Sequence, residues 1–241
     1  MIQYKLYNFN SLTSTQDKAK EFSKKGLSNI VVVADVQTKS RGRCKRKLHS
    51  SKDGLWMSIL LKPKNSGNLQ YLTFIAAISV VKSIKKITGL NANIKWPNDV
   101  HYKGKKLCGI LTEGIFGKEN YAIVGIGLNV NQQNFPDDIK DIAISLSMIK
   151  KKTTDIKKLM YEIINEFFYL YNEQYNKNKF KNISDIWKRY CDTINKNATV
   201  ITKTGKISGK AVGIGKDCNL LLRLNNGEII KVIEGDVSVR Y

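Results

Sequence analysis

Ile94-Lys95-Trp96-Pro97-Asn98-Asp99 sets a lysine, a tryptophan, an amide and a carboxylate side by side, on a segment that proline forces out of helix. A residue before proline is driven toward extended backbone, so Lys95 and Trp96 read as a strand end. Asn98 and Asp99 then fall at a turn, where short polar side chains are common. Downstream, residues 107–116 and 120–128 read as two strands joined by Gly117-Lys118-Glu119-Asn120, a hairpin-like turn. Gly109 is the odd member of its strand, and glycine inside a strand marks a bulge or a close backbone approach.

Working outward, residues 3–9 alternate like a strand. Ser14-Thr15-Gln16-Asp17 reads as a helix start capped by Ser14, with an acid three residues on and a stop near Gly26. Ile30 to Val36 is a β-branched run, hence a buried strand, and Leu55 to Leu61 is another. Helical spacing covers Leu69 to Ile87, Asp155 to Tyr175 and about Ile183 to Cys191. After residue 193 the texture changes to short strands at 198–203, 207–214, 219–224, 228–233 and 236–240, broken by Gly, Asn and Asp. That pattern predicts a small β-barrel. The fold class is therefore α+β, a mixed β-sheet with packed helices followed by a compact all-β unit, with domains at 1–192 and 193–241.

The 241 residues hold 41 Lys+Arg against 20 Asp+Glu, a formal charge of +21. A basic chain invites a nucleic-acid reading. The excess is mostly lysine spread along the whole chain, however, which reads as a compositional bias that favours anionic partners by long-range steering. No apolar run is long enough for a membrane span, and no signal peptide is legible. Cys44, Cys108, Cys191 and Cys218 lie far apart and read as reduced thiols of a cytoplasmic protein. Two histidines, His49 and His101, argue against a His-rich metal site and against Ser-His chemistry.

Arginines are scarce, only six, and three of them fall in Arg41-Gly42-Arg43-Cys44-Lys45-Arg46. Arginine offers planar bidentate donors to phosphate or carboxylate that lysine cannot copy. On local grounds this is either an exposed basic loop or an anion site. Gly125-Ile126-Gly127-Leu128-Asn129 puts two glycines and an amide at a strand end, which suits backbone contact with a nucleotide, although no phosphate-loop motif occurs.

Four motifs in this order, Arg41-Gly42-Arg43, Lys95-Trp96-Pro97-Asn98-Asp99, Lys106-Leu107-Cys108-Gly109-Ile110-Leu111 and Gly125-Ile126-Gly127-Leu128-Asn129, resemble the catalytic domain of biotin protein ligases. The resemblance implies a class II synthetase-like biotin/lipoate ligase fold with a C-terminal SH3-like β-barrel, and ATP-dependent transfer of biotin through biotinyl-5′-AMP. It implies Arg43 and Lys95 as catalytic residues. It implies Ser14, Thr15, Gln16, Gln37, Arg41, Gly42, Arg43, Lys95 and Gly109 around biotin, and Arg43, Arg46, Lys95, Asn98 and Asn129 around ATP. Asp99 is a candidate Mg²⁺ ligand, while Trp96 and Pro97 set local geometry. The implied acceptor is the biotin carboxyl carrier protein of acetyl-CoA carboxylase. The chain departs from the family pattern at Ser40 and Lys45, where glycines are usual, and at Leu48, where a tryptophan packs near the adenine. Many members carry an N-terminal repressor domain. Here the catalytic domain begins within the first ten residues, so an enzyme without DNA binding is expected, as a monomer or homodimer. Lipoate– or octanoate–protein ligases share the fold and form the alternative.

Overall fold

A computed structural model of the chain describes residues 3–43, 48–202, 205–233 and 236–239. Seven strands form one mixed sheet: β1 (Lys5–Leu12), β2 (Ile30–Gln37), β3 (Gly54–Leu61), β4 (Asn93–Lys95), β5 (Asp99–Tyr102), β6 (Lys105–Ile115) and β7 (Tyr121–Asn129). Their order is β1-β2-β3-β7-β6-β5-β4, with only β1 and β2 parallel. That parallel pair needs a crossover, supplied by α1 (Thr15–Lys24). Ser14 caps α1 by accepting from the Gln16 amide, and Gly26 supplies the positive φ of +73° after its end.

The opposite face of the sheet carries α2 (Gln70–Thr88), α4 (Ile156–Leu170) and α5 (Phe180–Tyr190). α2 is apolar nearly all round because it lies between the sheet and the other helices. Phe74 of α2 stacks on Trp187 of α5 at 4.2 Å. The predicted long helix from Asp155 ends at Leu170 and continues as a five-residue π turn, Tyr171–Tyr175. A short α3 (Leu146–Lys150), capped by Ser145, was not legible as a helix.

The C-terminal strands β8 (Asn197–Thr202), β9 (Gly205–Ile214), β10 (Leu220–Arg223), β11 (Ile229–Val232) and β12 (Asp236–Val239) form an antiparallel sheet ordered β11-β10-β9-β8-β12. Its interior residues, including Val200, Ala211, Leu220 and Leu222, belong to the same continuous hydrophobic cluster as α2, α4 and the large sheet. Trp96 is the joint. Its indole N–H donates to the Cys218 carbonyl at 2.8 Å, and its backbone N–H to Thr193 Oγ1 at 3.1 Å. His101 on β5 bonds Asp192, just before β8, at 2.9 Å. No helix among the described residues is long and apolar enough to cross a membrane.

Candidate active site

Strand β7 shows why a cavity forms on the α1 face. The residues it presents there run Tyr121, Ile123, Gly125, Gly127. Tyr121 and Ile123 pack in the cluster beneath α1, and the two glycines beyond them leave space. A cavity of about 290 Å³ occupies it, a size suited to a small ligand. Neither glycine tolerates a Cβ easily: one at Gly125 would lie 2.5 Å from Gln16 Nε2, and one at Gly127 would lie 3.2 Å from Leu48 and 3.3 Å from Trp56.

One end of the cavity is neutral and polar. The start of α1 brings Ser14, Thr15 and Gln16 there, all buried. Thr15 donates to Gln37 Oε1 through its backbone N–H at 2.7 Å and its hydroxyl at 3.0 Å, and also meets Ser58 Oγ at 2.8 Å. Gln37 Nε2 continues to Ser50, and Ser50 to Ser40 at 2.8 Å. Gln16 Nε2 donates to the Leu111 carbonyl at 2.9 Å, whereas Gln16 Oε1 is buried with no protein partner. A buried acceptor without a donor is costly, so this oxygen suits a ligand N–H.

The other end is cationic. Between Val100 and His101 the β5–β6 register slips by one, so β6 holds an extra residue at Leu107. The bulge re-aims Lys106 onto the face of Gly109, whose missing side chain gives it room: a Cβ there would lie 3.2 Å from Lys106 Cε and Nζ. Lys106 Nζ stands 2.6 Å from Asp99 Oδ1. Arg43 donates to Asn98 Oδ1 at 3.0 Å, and Asn98 is fixed in turn by its Nδ2 bond to the Ile110 carbonyl at 2.7 Å. Among the described residues, Asp99 is the only carboxylate lining the cavity. No cluster of three or more metal-ligating side chains occurs among them either.

Phe135, Ile139, Ile142 and Ala143 line the cavity together with Leu48 and His49, and His49 Nε2 meets Asp138 Oδ2 at 3.3 Å. Their segment is pinned to β6: the Lys106 N–H donates to the Ile142 carbonyl at 2.7 Å, and the Ile144 N–H to the Lys106 carbonyl at 3.0 Å. Asn129 Nδ2 reinforces the join by donating to the Ile144 carbonyl at 3.1 Å. Cys108 forms part of the wall, where burial pushes its thiol well up and keeps it protonated.

Of the residues singled out from sequence, Ser14, Thr15, Gln16, Gln37, Arg41, Gly42, Arg43, Asn98, Asp99, Gly109 and Asn129 all line this one cavity. Lys95 does not. It is half-buried on β4, the outermost strand, which is separated from β6 by β5. Arg46, with Cys44 and Lys45, lies outside the described residues. Arg41 points at carboxylates: Asp17 at 2.7 Å and Glu113 at 3.2 Å. Burial works against its charge, but the Asp17 hydrogen bond and the Glu113 charge outweigh it and hold the guanidinium protonated. The resemblance implied the Lys106–Leu111 segment as a pocket wall, and it does line the cavity; what was missed was Lys106 as its cation, together with His49, Met57 and the 135–143 wall. Gly109, three residues after Lys106, was the available signal for the lysine.

A neutral polar end, a glycine-floored slot and a cationic end define a site for a carboxylate with an uncharged polar head, joined to an anion-binding region. Residues 6–131 match the biotin/lipoate A/B protein ligase family, to which this chain therefore belongs. Residues 193–240 match the biotin protein ligase C-terminal domain. The bifunctional ligase/repressor BirA of Bacillus subtilis is 38% identical over 246 residues, covering 99% of this chain and 75% of that protein. The biotin protein ligase from Aquifex aeolicus, solved in complex with biotin and ATP, aligns with a TM-score of 0.87 at 33% identity over 98% of both chains. The biotin–[acetyl-CoA-carboxylase] ligase of Mycobacterium tuberculosis is 26% identical over 148 residues, 58% of this chain and 53% of that protein.

Proposed function

We propose that this protein is a biotin–protein ligase. Residues 1–192 act as the biotin- and ATP-binding catalytic domain, and residues 193–241 as a small barrel that braces it. The observation that carries the reading is the polarity of the cavity, with the unpartnered Gln16 Oε1 at one end and Lys106 and Arg43 at the other. The ureido group of biotin donates an N–H to Gln16 Oε1 and exchanges hydrogen bonds with the Ser14–Thr15–Gln37 cluster. Its carboxylate then lies toward Lys106, and the α-phosphate of ATP toward Arg43.

In the first step a biotin carboxylate oxygen attacks the α-phosphorus of ATP. The bond to the bridging oxygen breaks, giving biotinyl-5′-AMP and pyrophosphate. Both reactants are anionic, so the enzyme's work is to align them and screen their repulsion. Lys106 supplies that charge where Lys95 was expected to, because only Lys106 reaches the cavity. Mg²⁺ bound with ATP would screen the phosphate charge, and Asp99, the one carboxylate lining the cavity among the described residues, would be its protein ligand. In the second step the ε-amine of an acceptor lysine attacks the mixed anhydride. An amide forms, AMP leaves and the amine loses a proton. The acceptor is a biotin carboxyl carrier domain of acetyl-CoA carboxylase, as the name of the Mycobacterium tuberculosis relative suggests. Work in the cytoplasm fits the unpaired Cys108, Cys191 and Cys218.

A lipoyl dithiolane has no N–H and would leave Gln16 Oε1 unpaired, which disfavours the lipoate reading. The test is a product assay with Mg·ATP, biotin and a biotin carrier domain, run beside lipoate and a lipoyl domain and read by mass spectrometry. An ATP-dependent biotin adduct on the carrier lysine is expected. Lipoylation in its place overturns the pocket assignment, and no adduct on either overturns the activity.

A further inference from the structure

Asp17 and Glu113 enter no part of the chemistry above, yet they hold Arg41 between them. Asp17 sits in the first turn of α1, next to Gln16. Glu113 lies two residues past Leu111 on β6, on the same face. Arg41 lines the cavity and its two partners do not, so the guanidinium forms a wall with the carboxylates behind it. α1 is thus tied to β6 twice at the same end: directly by Gln16 to the Leu111 carbonyl, and through Arg41. The backbone leading to Arg41 is anchored as well, since the Thr38 N–H donates to the Leu12 carbonyl and the Lys39 N–H to the Thr13 carbonyl, both at 2.9 Å.

The charges have a direction. This end sets one cation against two anions, Arg41 against Asp17 and Glu113. Among the described residues lining the far end, Lys106 and Arg43 are cations and Asp99 is the one carboxylate. A monocarboxylate with a neutral head is drawn tail-first to the second end, because the guanidinium at the first is already matched by its own two carboxylates.

We propose that Arg41, Asp17 and Glu113 form a clasp that closes the neutral end of the slot and sets the direction in which a neutral-headed carboxylate enters. The proposal rests on the biotin-ligase reading and assigns Arg41 a positioning role in place of direct ligand binding. Asp17 and Glu113 become specificity determinants for that reaction.

The test is the double variant Asp17→Asn/Glu113→Gln, which keeps side-chain shape and removes both anions. The KM for biotin is expected to rise by about tenfold while kcat for adenylate formation stays within about twofold. Hydrogen-exchange mass spectrometry should show peptides covering residues 12–17 and 38–43 exchanging faster. Should the double variant fail to fold by circular dichroism, Asp17→Asn alone carries the same readouts. A variant that keeps wild-type KM and wild-type protection overturns the clasp, as does one whose kcat falls with KM unchanged. A wild-type protein that makes no biotinyl adenylate overturns the preceding reading instead, and that failure shows before any substitution is made.

Discussion

Lys106 and Lys95 both precede a hydrophobic residue in a short motif of a chain crowded with lysine, and of the two Lys95 was the expected carrier of catalytic charge. Position separates them. Lys106 stands beside Gly109 with its ammonium 2.6 Å from Asp99, while Lys95 stays on the outer strand. Lys106→Ala should lower the rate of pyrophosphate release by about a hundredfold or more, the scale of losing a charge aimed at the reacting phosphate. Lys95→Ala should change it only a few-fold. A larger loss from Lys95→Ala than from Lys106→Ala would return the catalytic charge to β4. Gly125 makes a second test. In Gly125→Ala the new methyl meets Gln16 Nε2 at 2.5 Å, so the amide swings off the Leu111 carbonyl. Biotin affinity measured by calorimetry should fall by about tenfold, near 1.4 kcal/mol, with ATP affinity little changed. The polar head of the site was legible only through the family resemblance, which places Ser14, Thr15, Gln16 and Gln37 together; on local grounds Ser14-Thr15-Gln16 reads as a helix start. The lysine was not legible, because a single-residue bulge decides which way it points, and a bulge leaves only a glycine as its trace.

At the scale of elements, the strands and main helices were legible because their apolar spacing is regular. β2, β3, β7 and α2 fall within a residue or two of their predicted bounds. The stretch from Val130 to Ser145 was opaque. Its placement depends on bonds to β6 and to the Asn129 amide, partners far along the chain or on another strand. That dependence predicts the phenotype of Asn129→Ala. The 135–144 wall loosens, and the KM for ATP should rise severalfold more than the KM for biotin. Equal rises in steady-state assays would show that Asn129 braces the whole cavity and not its far end. The arginine loop read as an anion site only through the resemblance, and its first arginine serves two neighbouring carboxylates. Sequence spacing could not reveal that, since Asp17 and Glu113 lie 24 and 72 residues away.

At the scale of the whole molecule, the small C-terminal sheet shares its interior with the large one, and the joint carries ionisable groups. Asp192 accepts from His101 and pairs with Lys196 at 3.3 Å. Burial raises its pKa, but the His101 hydrogen bond and the nearby positive charges outweigh burial and hold the carboxyl below its ordinary value. A carboxylate with a depressed folded-state pKa stabilises fully above its unfolded value, about 3.9, and loses that contribution as pH falls through the folded value. Urea unfolding of the wild type and Asp192→Asn should therefore differ most near neutrality, and the gap should narrow on acidification below about pH 4. A gap independent of pH would assign the effect to packing. The second, antiparallel sheet was visible in the change of texture after residue 193, whereas the shared interior was not, since no local pattern records which distant face an apolar strand meets. Trp96 gives that shared interior a temporal side. Its indole N–H is met by a carbonyl 122 residues later in the chain. On a ribosome, the stretch bearing Asn98 and Asp99 emerges long before the turn at Cys218 that completes its support. Nascent chains stalled short of that turn should acquire adenylating activity only after release and completion, so a segment made later sets when the stretch around Trp96 begins to work.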